Sequence, residues 1–240
     1  MEFTTGVASR VAVGIAMVAL MAVGPGCGPA HAEAPAVIGG GSGIALQTSD
    51  PTMVALCTMT AVGYDRADRL VGITAGHCAE DAGVAVWAEA APRTGPIGFV
   101  AAKDVDHDWA VIELDPAHVT PVRAVGPSVI TTVGAPGRAW ETVCKNGRTT
   151  GYTCGVVWDA NPAEFISQVC ANHGDSGGPV LRGDQLVGMI NAGITPFGSA
   201  EAACTGNGNP IHDPDVSNQI TAVLAEIDHL GVTGAGFRLL

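Results

Sequence analysis

A serine enclosed by glycines, in Asn172-His173-Gly174-Asp175-Ser176-Gly177-Gly178-Pro179, sets the strongest limit on what this chain can become. Gly174 and Gly177 have no Cβ, so the backbone here can take conformations closed to other residues and expose the Ser176 hydroxyl with the Gly174 and Ser176 amides. Serines flanked in this way also occur on strand-to-helix elbows. Gly177-Gly178-Pro179, however, is a poor first turn for a helix, and Val180-Leu181 and Leu186 to Ile190 read as strands around an Arg182-Gly183-Asp184 turn. The stretch therefore belongs to a β framework. An elbow arrangement using Ser176, Asp213 or Asp215, and His229 is set aside on the same ground.

Serine is a weak nucleophile at its free pKa and needs a histidine base, itself held in one tautomer by a carboxylate. Both are upstream. Thr74-Ala75-Gly76-His77-Cys78 follows an apolar run from Leu70 to Ile73, and Asp108 opens the run Trp109-Ala110-Val111-Ile112-Glu113-Leu114. In the order His77, Asp108, Ser176, these segments resemble the chymotrypsin-like serine proteases. Val143-Cys144-Lys145-Asn146-Gly147-Arg148-Thr149-Thr150-Gly151 and the cysteine six residues before the serine, Cys170, are similar to the bacterial secreted members, the streptogrisins and α-lytic protease. The likeness extends over roughly Val37 to Asn209.

The resemblance implies an all-β chain of two six-stranded antiparallel barrels with the active site in the cleft between them. It implies His77 as general base and then acid, Asp108 as its orienting partner, Ser176 as nucleophile, and the Gly174 and Ser176 amides as an oxyanion hole. It further implies the disulfides Cys57–Cys78, Cys144–Cys154 and Cys170–Cys204, and a buried cation for Asp175, with Lys145 the first candidate and Arg148 the second. The primary pocket is expected along Cys170, Ala171, Asn172 and His173 and along Asn191, Ala192 and Gly193, with no carboxylate at its base. Gly193 leaves room there for a small or medium apolar substrate side chain, the reading preferred over an acidic one favoured by His173. Members usually have serine where this chain has Asn191, so Asn191 is expected either to support Asp108 through its amide or to displace it. They also usually have a long pro-region, where this chain has only Glu33-Ala34-Pro35-Ala36, read as a short flexible leader, before Val37-Ile38-Gly39-Gly40, itself similar to the start of mature members.

Short apolar runs punctuated by glycine, proline and aspartate fit such a fold without the resemblance. They cover Met53 to Met59, Val84 to Ala88, Ile97 to Ala102, Val129 to Val133, Glu141 to Lys145, Thr153 to Trp158 and Phe165 to Cys170. Asn146-Gly147 reads as a hairpin turn. Val216, Ile220, Val223, Leu224, Ile227 and Leu230 form a helical stripe, with Asp215 or Ser217 placed to cap it and Gly231 to end it. Residues 234–240 read as a loose tail. The domains expected are 1–32 as a signal peptide, 33–125 and 126–212 as the two barrels, and 213–240 as helix and tail.

The first segment is read as an export signal. Arg10 precedes the apolar run Val11 to Val23, which is shorter than the roughly 17–25 residues of a membrane span, and Ala30-His31-Ala32 offers a small-x-small cleavage pattern. Cleavage there removes Cys27 of the seven cysteines and leaves six, an even set for an oxidising compartment. A net charge of −12 disfavours nucleic acid and anionic membranes as partners. His107, His118, His212 and His229 read as surface residues, and neither a metal nor a cofactor is expected. The function expected is a secreted, monomeric serine endopeptidase acting on protein or peptide. A silent member of the same fold that binds peptides or a partner is the alternative.

Overall fold

Glycine, proline and aspartate interrupt the apolar runs every few residues, so the strands are short and pay for their edges by closing into rings. The computed structural model describes residues 33–194, 202, 204 and 211–240; the expected signal segment and its cleavage site lie outside them. The first half contains β1 (Ala36–Ile38), β2 (Gly43–Gln47), β3 (Val54–Thr58), β4 (Ala61–Tyr64), β5 (Leu70–Thr74), β6 (Ala85–Ala88), β7 (Pro96–Asp104), β8 (Trp109–Leu114) and β9 (Val119–Pro121). Pairing runs β4-β5-β8-β7-β6-β2-β3. Because β3 and β4 are two arms of one bent segment around Met59 and Thr60, the sequence of pairings forms a six-strand ring. Ile44, Leu46, Met59, Ile73, Val86 and Ile112 fill it, each contributing about 1.5–3 kcal/mol by leaving water.

The second half begins with three two-residue strands, β10 (Ala124–Val125), β11 (Ser128–Val129) and β12 (Thr132–Val133). It continues with β13 (Thr142–Gly147), β14 (Gly151–Ala160), β15 (Glu164–Ser167), β16 (Pro179–Arg182), β17 (Gln185–Gly193) and β18 (Asp215–Gln219). These last six pair in the order β17-β16-β13-β14-β15-β18, and β18 pairs back to β17, closing the ring. Val143, Val157, Phe165, Val180, Val187 and Ile190 are its core. The fold is thus two antiparallel six-strand barrels followed by one helix, α1 (Ile220–Leu230).

Four local expectations need correction. The helical stripe starts four residues later than its first apolar position, because Asp215–Gln219 is β18, paired to both β15 and β17. Gln219 is the N-cap; Gly231, at φ +64°, ends the helix as read, its amide reaching Asp228 and Ile227 carbonyls. The C-terminal residues are tied down: β19 (Arg238–Leu239) pairs with Tyr64 and Gly63 of β4, and the Gly234 amide donates to Asp65 Oδ2 at 3.2 Å. Asn146-Gly147 is strand, paired to Tyr152 and Gly151, and the chain reverses at Arg148–Thr150. A Cβ on Gly147 would stand 2.3 Å from Asp175 Oδ1, so glycine is required there by a close approach rather than by a turn. The short leader, finally, is ordered from Ala36, which is buried and paired in parallel with Val119.

Candidate active site

His77 of the first barrel and Ser176 of the second meet at one cavity, with Asp108 bonded to the far side of the His77 ring. Gly76–Cys78 forms a single 3-10 turn after β5, and the Cys57–Cys78 disulfide anchors that turn to β3. His77 is therefore presented from a fixed loop with its ring half exposed. Asp108 precedes β8 at φ +48°, a left-handed conformation that aspartate tolerates better than most residues. The Asn218 amide of β18 donates to the carbonyls of His107 at 3.0 Å and Asp108 at 3.3 Å and holds that strained position. Both Asp108 oxygens lie 3.0 Å from His77 Nδ1, and Oδ1 also accepts the His77 amide at 2.7 Å. Asp108 is 8 % exposed. With Nδ1–H directed to the carboxylate, Nε2 is left as a proton acceptor on the other side of the ring.

His77 and Ser176 line the same cavity, of about 500 Å³. The Ser176 loop is fixed to the first barrel through the β3–β4 bend. The Thr58 amide donates to the Ser176 carbonyl at 2.9 Å, the Thr58 hydroxyl to the Gly174 carbonyl at 2.8 Å, and the Thr60 hydroxyl to the Gly177 carbonyl at 2.6 Å. Within the loop, the Asp175 amide donates to the Asn172 carbonyl and the Gly178 amide to that of Asp175, while the Gly177 amide donates to the Ile190 carbonyl of β17. Among the described residues the Gly174 and Ser176 amides have no protein acceptor, which leaves two donors beside the Ser176 side chain.

Beneath the loop Asp175 and Lys145 are both fully buried, with Lys145 Nζ 3.0 Å from Asp175 Oδ2. Asp175 also accepts the amides of Thr149 at 2.8 Å, Thr150 at 3.1 Å and Asn172 at 3.1 Å. Burial pulls the Lys145 ammonium below its ordinary pKa, and the Asp175 carboxylate works against that pull. Arg148 is turned outward onto Glu89 of the first barrel. Cys144–Cys154 staples β13 to β14, and Cys170–Cys204 braces the cavity wall.

The cavity is lined by Ala171, Asn172, His173, Asn191, Ala192 and Gly193, and also by Asp213 and Asp215, which the sequence reading left out. The expectation of a pocket without a carboxylate is therefore wrong. Asp215 sits on β18, 5 % exposed, and among the described residues its Oδ2 has no hydrogen-bond partner. Burial pushes its carboxyl up to about 7, against the opposing pull of Lys145. Asn191 does not reach the Asp108 carboxylate: its amide donates to Asn218 Oδ1 at 3.0 Å, so it supports Asp108 at one remove. Away from this cavity, Asp104, His107 and Glu226 bring ligand atoms within 4.8 Å of one another, with His107 already bonded to Asp104.

The family model described as Trypsin matches residues 44–221. Streptogrisin-C of Streptomyces griseus is 37% identical over 79 residues, 29% of this chain and only 16% of that longer protein. Uncharacterized protein Rv1815 of Mycobacterium tuberculosis is 29% identical over 189 residues, 68% of this chain and 84% of that one. Among solved structures, Thermobifida fusca Protease A superposes with a TM-score of 0.61 at 22% identity, covering 82% of this chain and 98% of that one. Nocardiopsis Protease gives 0.63 at 20%, covering 85% and 100%. These structural likenesses speak for the fold; the catalytic reading rests on the residues above.

Proposed function

The chain belongs to the trypsin family of serine proteases, and from that premise we propose that it is an exported endopeptidase working through His77, Asp108 and Ser176. One observation carries the reading: an imidazole oriented on a buried carboxylate shares a cavity with a serine whose loop leaves two amides unpaired. In the reaction so framed, Ser176 Oγ attacks the peptide carbonyl carbon while His77 Nε2 takes its proton. The carbonyl oxygen becomes an oxyanion facing the Gly174 and Ser176 amides. Collapse breaks the C–N bond, His77 hands its proton to the leaving amine, and water, deprotonated by His77, then releases the acyl group. Export is supported by the N-terminal apolar run with its Ala30-His31-Ala32 end and by three disulfides, which persist outside the reducing cytosol. Among the described residues no helix is long and apolar enough to cross a membrane.

The test is to treat folded, oxidised residues 33–240 with a fluorophosphonate and map the adduct by mass spectrometry. Labelling is expected at Ser176 and absent from Ser176→Ala; a folded protein that takes no label would make this a silent, peptide-binding member of the fold.

The cavity also favours one class of substrate side chain. Lys145 pairs directly with Asp175 and acts on Asp215 only as a more distant charge, so among the described residues Asp215 has no cation in direct contact, and a Lys or Arg side chain entering the cavity would supply one. In a library of peptide amides, cleavage after Lys and Arg is expected to lead, and Asp215→Asn to erase that lead. Cleavage after alanine or leucine at equal rates would restore the apolar reading.

The same carboxyl gives a stability prediction. Its pKa rises on folding from 3.8 to about 7, so the native state holds the proton more tightly than the unfolded chain. The associated stability is complete below the unfolded value and is lost as pH climbs to about 7, a change on the order of 4 kcal/mol. Lys145, Asp175 and Asp213 are the charged groups that act on it. In a Ser176→Ala background, to prevent self-digestion, Asp215→Asn is expected to raise the melting midpoint at pH 8 by several degrees more than at pH 4. A pH-independent difference would remove Asp215 as the titrating group.

A further inference from the structure

The two unpaired amides belong to two peptide units, and each unit is held through its carbonyl. The Asp175 carbonyl accepts the Gly178 amide at 2.8 Å, a bond internal to the nucleophile loop. The His173 carbonyl is held from outside the loop, by the Thr149 hydroxyl at 2.8 Å. A trans peptide directs its N–H and C=O to opposite sides, so fixing the His173 carbonyl toward Thr149 fixes the Gly174 N–H on the other side.

This unit is also the one most able to turn over. Gly174 lies at φ +95° and, lacking a Cβ, imposes little steric barrier to a rotated His173–Gly174 peptide. Rotation would put a carbonyl where the N–H stands and replace a donor with an acceptor at the site of the developing oxyanion. Thr149 is well placed to prevent it. Its amide is fixed by Asp175 Oδ1 at 2.8 Å, and its hydroxyl accepts from Arg148 Nη1 at 3.0 Å, which leaves the single hydroxyl proton for His173. Arg148 is in turn held by Glu89, just after β6, through Nε at 2.7 Å and through its Nη2.

We propose that Thr149 is the positioning residue that keeps the Gly174 amide in its donor orientation, and that the Arg148–Glu89 pair, which reaches from the second barrel to the first, orients Thr149. The consequence is that one oxyanion donor is set by contact between the barrels rather than by the nucleophile loop alone. This rests on the proteolytic reading given above.

The experiment compares wild type, Thr149→Val and Thr149→Ser for peptide hydrolysis, fluorophosphonate labelling rate, affinity for a peptide aldehyde and melting midpoint. Valine keeps the shape and removes the hydroxyl. It is expected to lower kcat and the labelling rate about 10-fold, and to weaken the aldehyde to a similar extent, with KM and the melting midpoint nearly unchanged. Serine is expected to restore wild-type values. Full kcat in the valine variant would overturn the proposal. So would a joint loss of kcat, KM and melting midpoint that serine fails to restore, since that marks a structural role. Should the valine variant not fold, Glu89→Gln takes its place: a fall in kcat at constant KM supports the relay, and unchanged kcat overturns it. Wild type that takes no label defeats the proteolytic reading itself, whereas labelled wild type with an equally labelled valine variant defeats only the role of Thr149.

Discussion

Asp108→Asn is expected to lower kcat by about four orders of magnitude while leaving KM and the melting midpoint close to wild type. The carboxylate accepts two donors from His77, the amide and Nδ1–H, using both of its oxygens. An asparagine can still accept the backbone amide through its one oxygen, which preserves the loop. Its NH2 then faces Nδ1, so the favoured tautomer carries the proton on Nε2 and no base faces Ser176. The loss should therefore fall on kcat and on the rate of fluorophosphonate labelling, and it should ease at high pH as the imidazole is no longer needed to collect the proton. An asparagine variant that labels at the wild-type rate would mean that Asp108 only holds the His77 loop in place.

The second large effect is thermodynamic. Lys145→Met removes the cation from a carboxylate that is 0% exposed. Breaking a buried pair from one side costs about 3–5 kcal/mol, because the remaining charge keeps its burial and loses its partner. For a chain of this size that corresponds to a fall of roughly 10 °C in melting midpoint. The penalty also reaches the site, since Asp175 gathers the Thr149, Thr150 and Asn172 amides and lies directly before the nucleophile. Methionine fills most of the lysine volume, so packing loss is minor. The double variant Lys145→Met/Asp175→Asn should recover a measurable part of the midpoint. If the single variant melts like wild type, the pair contributes no net stability and the hairpin is held by its disulfide and its ladder.

What the sequence disclosed and what it hid divide along physical lines. His77, Asp108 and Ser176 each carry a local signature, because a reactive side chain needs a particular backbone around it: small residues beside the histidine, glycines beside the serine. Lys145 could be nominated only through the resemblance, as the basic residue directly after Cys144 in a hairpin similar to that of the bacterial members. Asp215 could not. Its neighbours Val216 and Ile220 continue a helical spacing, so its carboxylate read as a helix cap, and only the pairing of β18 with β15 and β17 turns it into the cavity. Asn146-Gly147 misled for a related reason, since the approach of Asp175, distant in sequence, and not a local turn, is what demands the glycine. Thr149 carried no signal, because its role depends on a carbonyl from another loop.

The strand β19 has a bearing on how such a chain is made. Its partners lie in β4, and the Gly234–Asp65 bond spans 169 residues. A polypeptide emerging in order therefore produces the first barrel early and leaves the outer edge of β4 bare until Arg238 and Leu239 arrive. That edge offers unpaired backbone groups to any passing strand, the same chain's or another's. Premature termination, or a bulky fusion at the C-terminus, would thus injure the half of the molecule made longest before it.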